Sequence, residues 1–87
     1  MSGQYSIEIE TTAVKALRNI QRNMQVRIST AIKALATDPR PHGCTKLAGT
    51  TDGYRIRIAD YRVVYTINDT IRVVLIEKIA HRREVYR

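Results

Sequence analysis

Eighty-seven residues, 44% of them apolar, suit a single small domain with one core, and they exclude both a multidomain machine and a chain too polar to fold. With no Trp, no Phe and five Tyr, that core has to be aliphatic, and the single Cys excludes an internal disulfide. Fifteen Lys/Arg against eight Asp/Glu give a net charge of +7, which favours a polyanionic partner: nucleic acid, an acidic protein or a membrane surface.

The opening "MSGQYSIEIE" has neither a basic n-region nor an apolar h-region, and no apolar run approaches the roughly 20 residues that cross a bilayer. A cytoplasmic protein with no membrane partner is expected. Within that opening, Tyr5–Glu10 alternates and reads as a first strand, with Tyr5, Ile7 and Ile9 on one side. Thr11 or Thr12 can cap a short helix whose stripe is Ala13, Ala16, Leu17 and Ile20. Asn23 can cap a second helix, in which Met24, Ile28, Ala31, Ile32 and Leu35 recur at helical spacing, so a helical hairpin follows. Two prolines in "DPRPHG" end it. His42 and Cys44 lie close together there but lack further ligands at a useful spacing, so no metal and no cofactor is expected.

A short strand around "TKLA" comes next, then the stretch "GYRIRIADYRVVYTI". Alternation sends Tyr54, Ile56 and Ile58 to one face and Arg55 and Arg57 to the other. After a turn near Asp60, Tyr61, Val63, Tyr65 and Ile67 continue the apolar face, and Arg62 falls opposite it. "IRVVLIEKI" (Ile71–Ile79) is apolar on both faces in its middle, as an inner strand is. The fold class expected is α+β: an N-terminal strand and a two-helix hairpin packed on an antiparallel-rich sheet of four to five strands, one face apolar and one cationic, over residues 1–87. The basic residues divide evenly along the chain, seven against four acids before residue 54 and eight against four after it, so folding has to assemble any basic patch.

The last eight residues, "AHRREVYR", follow the final strand directly and carry His81, Arg82, Arg83, Tyr86 and Arg87. Taken together, "KLAG", "GYRIRIADYRVVYTI" and "VVLIEKIAHRREVY" resemble, in order and spacing, the RelE/ParE superfamily of toxins, on its RelE side. The resemblance implies a toxin of a type II toxin–antitoxin system: a ribosome-dependent endoribonuclease that cleaves messenger RNA in the decoding site without metal. It also implies a cognate RelB-like antitoxin that wraps and silences the toxin, and contact with operator DNA only through that antitoxin. The family's basic third-strand positions fall on Arg55 and Arg57, its phosphate-binding arginine on Arg62, its C-terminal arginine on Arg82 or, because the spacing differs from some members, on Arg83, and its near-terminal tyrosine on Tyr86. A further basic position falls on Ala48, with Lys46 close by.

Metal-free cleavage through the ribose 2′-OH needs a proton acceptor, and positive charge for the pentacoordinate phosphorus and the departing oxygen. Arg62 suits the phosphate clamp and Arg82 the departing oxygen, because a guanidinium grips two oxygens and keeps its charge. Arginine is a poor base, so where some relatives carry lysine Arg55 and Arg57 leave the acceptor open. His81 is one choice as base or acid, and slow or ribosome-assisted deprotonation is the other. Tyr86 can stack on a base; Arg55, Arg57, Lys46 and Arg83 can bind RNA. Two other functions stay open: a ParE-like inhibitor of DNA gyrase, which the other branch of the same superfamily implies, and a non-catalytic basic nucleic-acid-binding module, which the net charge alone allows.

Overall fold

A computed structural model describes residues 4–85. Strand β1 (Ser6–Ile9) leads into helix α1 (Thr11–Arg18) and helix α2 (Arg22–Ala34); β2 (Thr45–Lys46), β3 (Gly53–Ile58), β4 (Tyr61–Asn68) and β5 (Val73–His81) follow, and a single helical turn, α3 (Arg82–Val85), closes the order. The five strands form one sheet in the order β1-β5-β4-β3-β2. β1 runs parallel to β5 and all other pairs are antiparallel. The expected α+β architecture is the one observed, and "IRVVLIEKI" does become an inner strand, flanked by β1 and β4.

Both helices lie on one face of the sheet. Ala13 of α1 and Ile28 and Ile32 of α2 are buried with Ile56, Val63, Tyr65, Val74 and Ile76 of the strands. Burial of each large aliphatic side chain contributes roughly 1.5–3 kcal/mol. Met24 packs against this core as a filler, and Tyr54 and Tyr61 pack at its margin. Ile9, in phase with Ile7, is 37% exposed because β1 is an edge strand that ends there.

The helix starts differ from the sequence reading. Glu10, not a threonine, holds the N-cap position of α1 and makes no side-chain cap; its backbone N–H instead donates to Ile76 O, so β1's ladder runs up to the helix. Asn23 lies inside the first turn of α2, after Gln21 at the cap position, and its Oδ1 accepts from Met24 N–H at 2.9 Å. The corner between the helices is closed by Gln25, whose Nε2 donates to Ile20 O at 2.8 Å and to Arg18 O at 3.1 Å.

The β3–β4 hairpin turns on Ala59 and Asp60 alone, since Ile58 pairs with Tyr61. Ala59 takes φ of 54° while Asp60 does not enter the left-handed region, the pattern of a type II′ turn whose first central position favours glycine. A side chain at that φ crowds its own carbonyl. Ala59→Gly is therefore expected to raise stability by about 1 kcal/mol, read as a higher denaturant midpoint at unchanged slope.

The far end of the sheet is tied by a polar cluster. Arg40, in the loop after α2, donates to both carboxylate oxygens of Asp69 (2.9 and 3.3 Å) and to Tyr54 Oη at 3.0 Å, and Tyr5 Oη donates to Asp69 Oδ1 at 2.6 Å. Hydrogen bonds from Arg40 and then from Tyr5 hold the Asp69 carboxyl below its ordinary range. A depressed carboxyl stabilises the fold above its unfolded pKa of about 4 and loses that contribution as pH falls through the lower folded value. Asp69→Asn should then be less stable than the wild type at pH 7, and the gap should close as pH drops below 4, measured by urea melts across that range.

No helix is long and apolar enough to cross a membrane among the described residues.

Candidate functional site

Register brings the strand arginines together. Arg57 lies directly opposite Arg62 across the β3–β4 pair, and Arg62 lies opposite Ala80 across β4–β5. Partners in register share a face, so Arg57 and Arg62 stand side by side on the face away from the helices. Arg55, two residues back, shares that face opposite Val64.

β5 reaches this face through an irregularity. Tyr65 pairs with Ile76 and Val64 with Lys78, so Glu77 is an extra residue in β5. Before it, Val74 and Ile76 point into the core; after it, Ile79 does. A bulge of this kind shifts the alternation by one residue. Ala80 is thereby set beside Arg62, and His81 opposite Tyr61 on the packed side.

Arg57, Arg62 and Arg82 meet at a small hollow of about 120 Å³, completed by Ala59, Asp60 and Tyr61. Among the described residues, three cations and one carboxylate line it. Arg62 is only 6% exposed, buried between its neighbours in the sheet, whereas Arg57 is exposed. The cationic face expected from the alternation is therefore open only in part: Arg62 belongs to the interior edge of the hollow. Arg82 is fixed at its start by a 2.7 Å hydrogen bond from its backbone N–H to Asp60 O, and its Nε lies 3.9 Å from Asp60 Oδ1.

The other predicted residues are distributed away from this point. His81 packs edge-on against the Tyr61 ring at 5.1 Å and lines a separate hollow with Ala16, Ile20 and Ile79 under the end of α1. Its Nδ1 accepts from Arg83 N–H at 3.2 Å, so it caps α3. Lys46 is in register with Tyr54, on the helix-side phase of the opposite sheet edge. Arg83 is exposed on α3, and Tyr86 lies outside the described residues. Asp60 was absent from the sequence-predicted set. The signal for it was present: a two-residue turn that separates Arg57-Ile58 from Tyr61-Arg62 has to set its own side chains beside both arginines.

The arrangement can bind a phosphodiester. Guanidinium forks present paired donors to non-bridging oxygens, and a buried cation at the back of a small hollow acts through a lower dielectric than bulk water. Among the described residues no group of three or more His, Cys, Asp or Glu side chains comes together.

Residues 7–86 match the family model described as the ParE toxin of type II toxin–antitoxin systems, parDE. In a solved archaeal RelE–RelB complex from Pyrococcus horikoshii OT3, one chain is 33% identical, with a TM-score of 0.83 over 91% of this chain and 96% of that one. This chain belongs to the RelE/ParE family as a RelE-type toxin. The isolated RelE toxin of E. coli is similar at 27% identity, with a TM-score of 0.79 over 94% of this chain and 90% of that one. The RelE1 protein of Methanocaldococcus jannaschii is 28% identical over 87 residues, 97% of each chain. For a RelE-type toxin the hollow between β3, β4 and α3 is the natural place to seek the activity, because three of the arginines that the family resemblance singles out, Arg57, Arg62 and Arg82, line it.

Proposed function

We propose that this toxin is an endoribonuclease that cuts messenger RNA in the ribosomal decoding site, using the ribose 2′-OH as nucleophile. The observation that carries this reading is the convergence of Arg57, Arg62 and Arg82 on one hollow of phosphate size. Arg62 clamps the scissile phosphate from the buried side, and Arg57 neutralises its second non-bridging oxygen as charge grows at phosphorus. Arg82 faces the departing 5′-oxygen. Arg55, one step along the same face, and Arg83 on α3 take the flanking backbone phosphates; Lys46 serves a more distant part of the RNA, and Tyr86 stacks on a base. His81 serves by capping α3 and so holding Arg82 in place, which fits its position on the packed side.

The partners follow from the same surface. A RelB-like antitoxin, acidic and folding on contact, neutralises the charge and covers the hollow, and operator DNA is met through the antitoxin. The substrate complex is the translating ribosome in the cytoplasm. The test is primer extension on messages from cells expressing the wild type: new 5′ ends inside translated reading frames, at ribosome-occupied codons, support the reading, and intact messages would overturn it.

A further inference from the structure

A cut through the 2′-OH requires a group that takes its proton, and arginine cannot. The hollow is lined by Arg57, Ala59, Asp60, Tyr61, Arg62 and Arg82. Three of these are cations and one is a methyl, and the Tyr61 ring is engaged with His81 on the packed side. Asp60 remains. We infer that the Asp60 carboxylate is the general base that removes the proton from the attacking 2′-OH, an inference that rests on the nuclease reading above.

Three features of the turn suit the role. Asp60 sits at a fixed point of a two-residue hairpin, and the 2.7 Å bond from Arg82 N–H to its carbonyl ties that point to the end of β5. Its carboxylate faces the Arg82 guanidinium at 3.9 Å, with Arg57 and Arg62 as the other charged groups on the hollow. Its side chain is 63% exposed, so solvent can carry the proton away after each turnover.

The step balances without a co-reactant. The 2′-OH proton passes to an Asp60 carboxylate oxygen as the 2′-oxygen forms a bond to phosphorus, and the P–O5′ bond breaks. The products are a 2′,3′-cyclic phosphate and a 5′-oxygen whose charge is held by Arg82 until water protonates it; Asp60 then releases its proton to solvent. His81, on the other side of the sheet and engaged at Nδ1 with Arg83, is not needed.

The experiment is single-turnover cleavage of a defined message on programmed ribosomes by the full chain, at saturating toxin, between pH 5.5 and 8. Asp60→Asn, which keeps the turn and the backbone bond to Arg82, should lower the rate by about 10²–10⁴-fold with ribosome co-sedimentation and melting temperature unchanged. Asp60→Glu should recover at least about tenfold over the Asn variant, because a carboxylate is restored. The wild-type rate should not show the roughly tenfold loss from pH 8 to 5.5 that an imidazole base would give. An Asn variant within about threefold of wild type, or a tenfold acid loss that disappears in His81→Ala, overturns the assignment of Asp60 and leaves the nuclease reading standing. A wild type that makes no cut overturns both.

Discussion

Arg62→Ala is expected to lower cleavage of translated messages by at least about a hundredfold, and with it the growth arrest caused by expression. The size follows from position. Arg62 is 6% exposed, with Arg57 opposite it on one strand and Ala80 on the other, so no solvent dipole can replace its charge at the back of the hollow. Arg57 and Arg82, both exposed, have water to compensate for their loss and should cost less when replaced singly. Arg62→Lys restores a charge but not the two-pronged donor set, so it should recover only part of the rate. Arg62→Met, which keeps length and an apolar stem, should stay inactive while still melting cooperatively. Rate by primer extension, and folding by circular dichroism, separate the two kinds of loss.

The second large effect falls on the fold. Tyr65 is fully buried in β4, its ring stacked on Tyr54 at 6.1 Å between centroids and its hydroxyl donating to Pro39 O at 2.8 Å. Tyr65→Ala removes an aromatic core side chain and should cost about 3–5 kcal/mol, a large part of what holds a domain of this size together. Tyr65→Phe keeps the ring and leaves the Pro39 carbonyl without its donor, a cost of about 1–3 kcal/mol. Burial also raises the Tyr65 phenol above its ordinary value. A raised phenol contributes stability below its unfolded pKa near 10 and loses it as pH climbs toward the higher folded value. The wild type should therefore weaken above pH 10 more steeply than Tyr65→Phe. Urea melts at pH 7 and pH 10.5 measure all three effects. Neither substitution touches the arginine hollow, so activity should fall with the folded fraction and no further.

These two sites also mark what could be read from the chain. Tyr65 and Arg62 are three residues apart in a strand with strict alternation, so their opposite faces were legible from spacing alone. Arg57 could be placed beside Arg62 because the hairpin between them has room for only a two-residue turn. The site's third arginine was harder. Counting by twos from Ile76 puts Lys78, Ala80 and Arg82 on the core face and His81 with the cations. The extra residue at Glu77 reverses that, and its mark in the sequence is slight, the two charged residues Glu77 and Lys78 between Ile76 and Ile79. His81 was a candidate because an imidazole next to Arg82 in the chain can act as base or acid; its phase sets it against Tyr61 on the packed side, and the resemblance, not the alternation, indicated Arg82. The face of Lys46 was not legible either: a strand of two residues has no alternation from which to infer one. The threonines that open α1 had good capping chemistry, yet the parallel pairing of β1 with β5 carries Glu10 into the cap position and leaves the threonines inside the helix.

The buried arginine and the carboxylate in the turn beside it make distinct demands on a single experiment. The most direct measurement is the chemistry of the cut end. A message cleaved on ribosomes by the wild type should carry a 2′,3′-cyclic phosphate upstream and a 5′-hydroxyl downstream, and that product should be lost with Arg62→Ala. Arrested growth with uncut messages, accompanied by double-strand DNA breaks and filamentation, would contradict the nuclease reading and leave the arginine hollow without its proposed substrate.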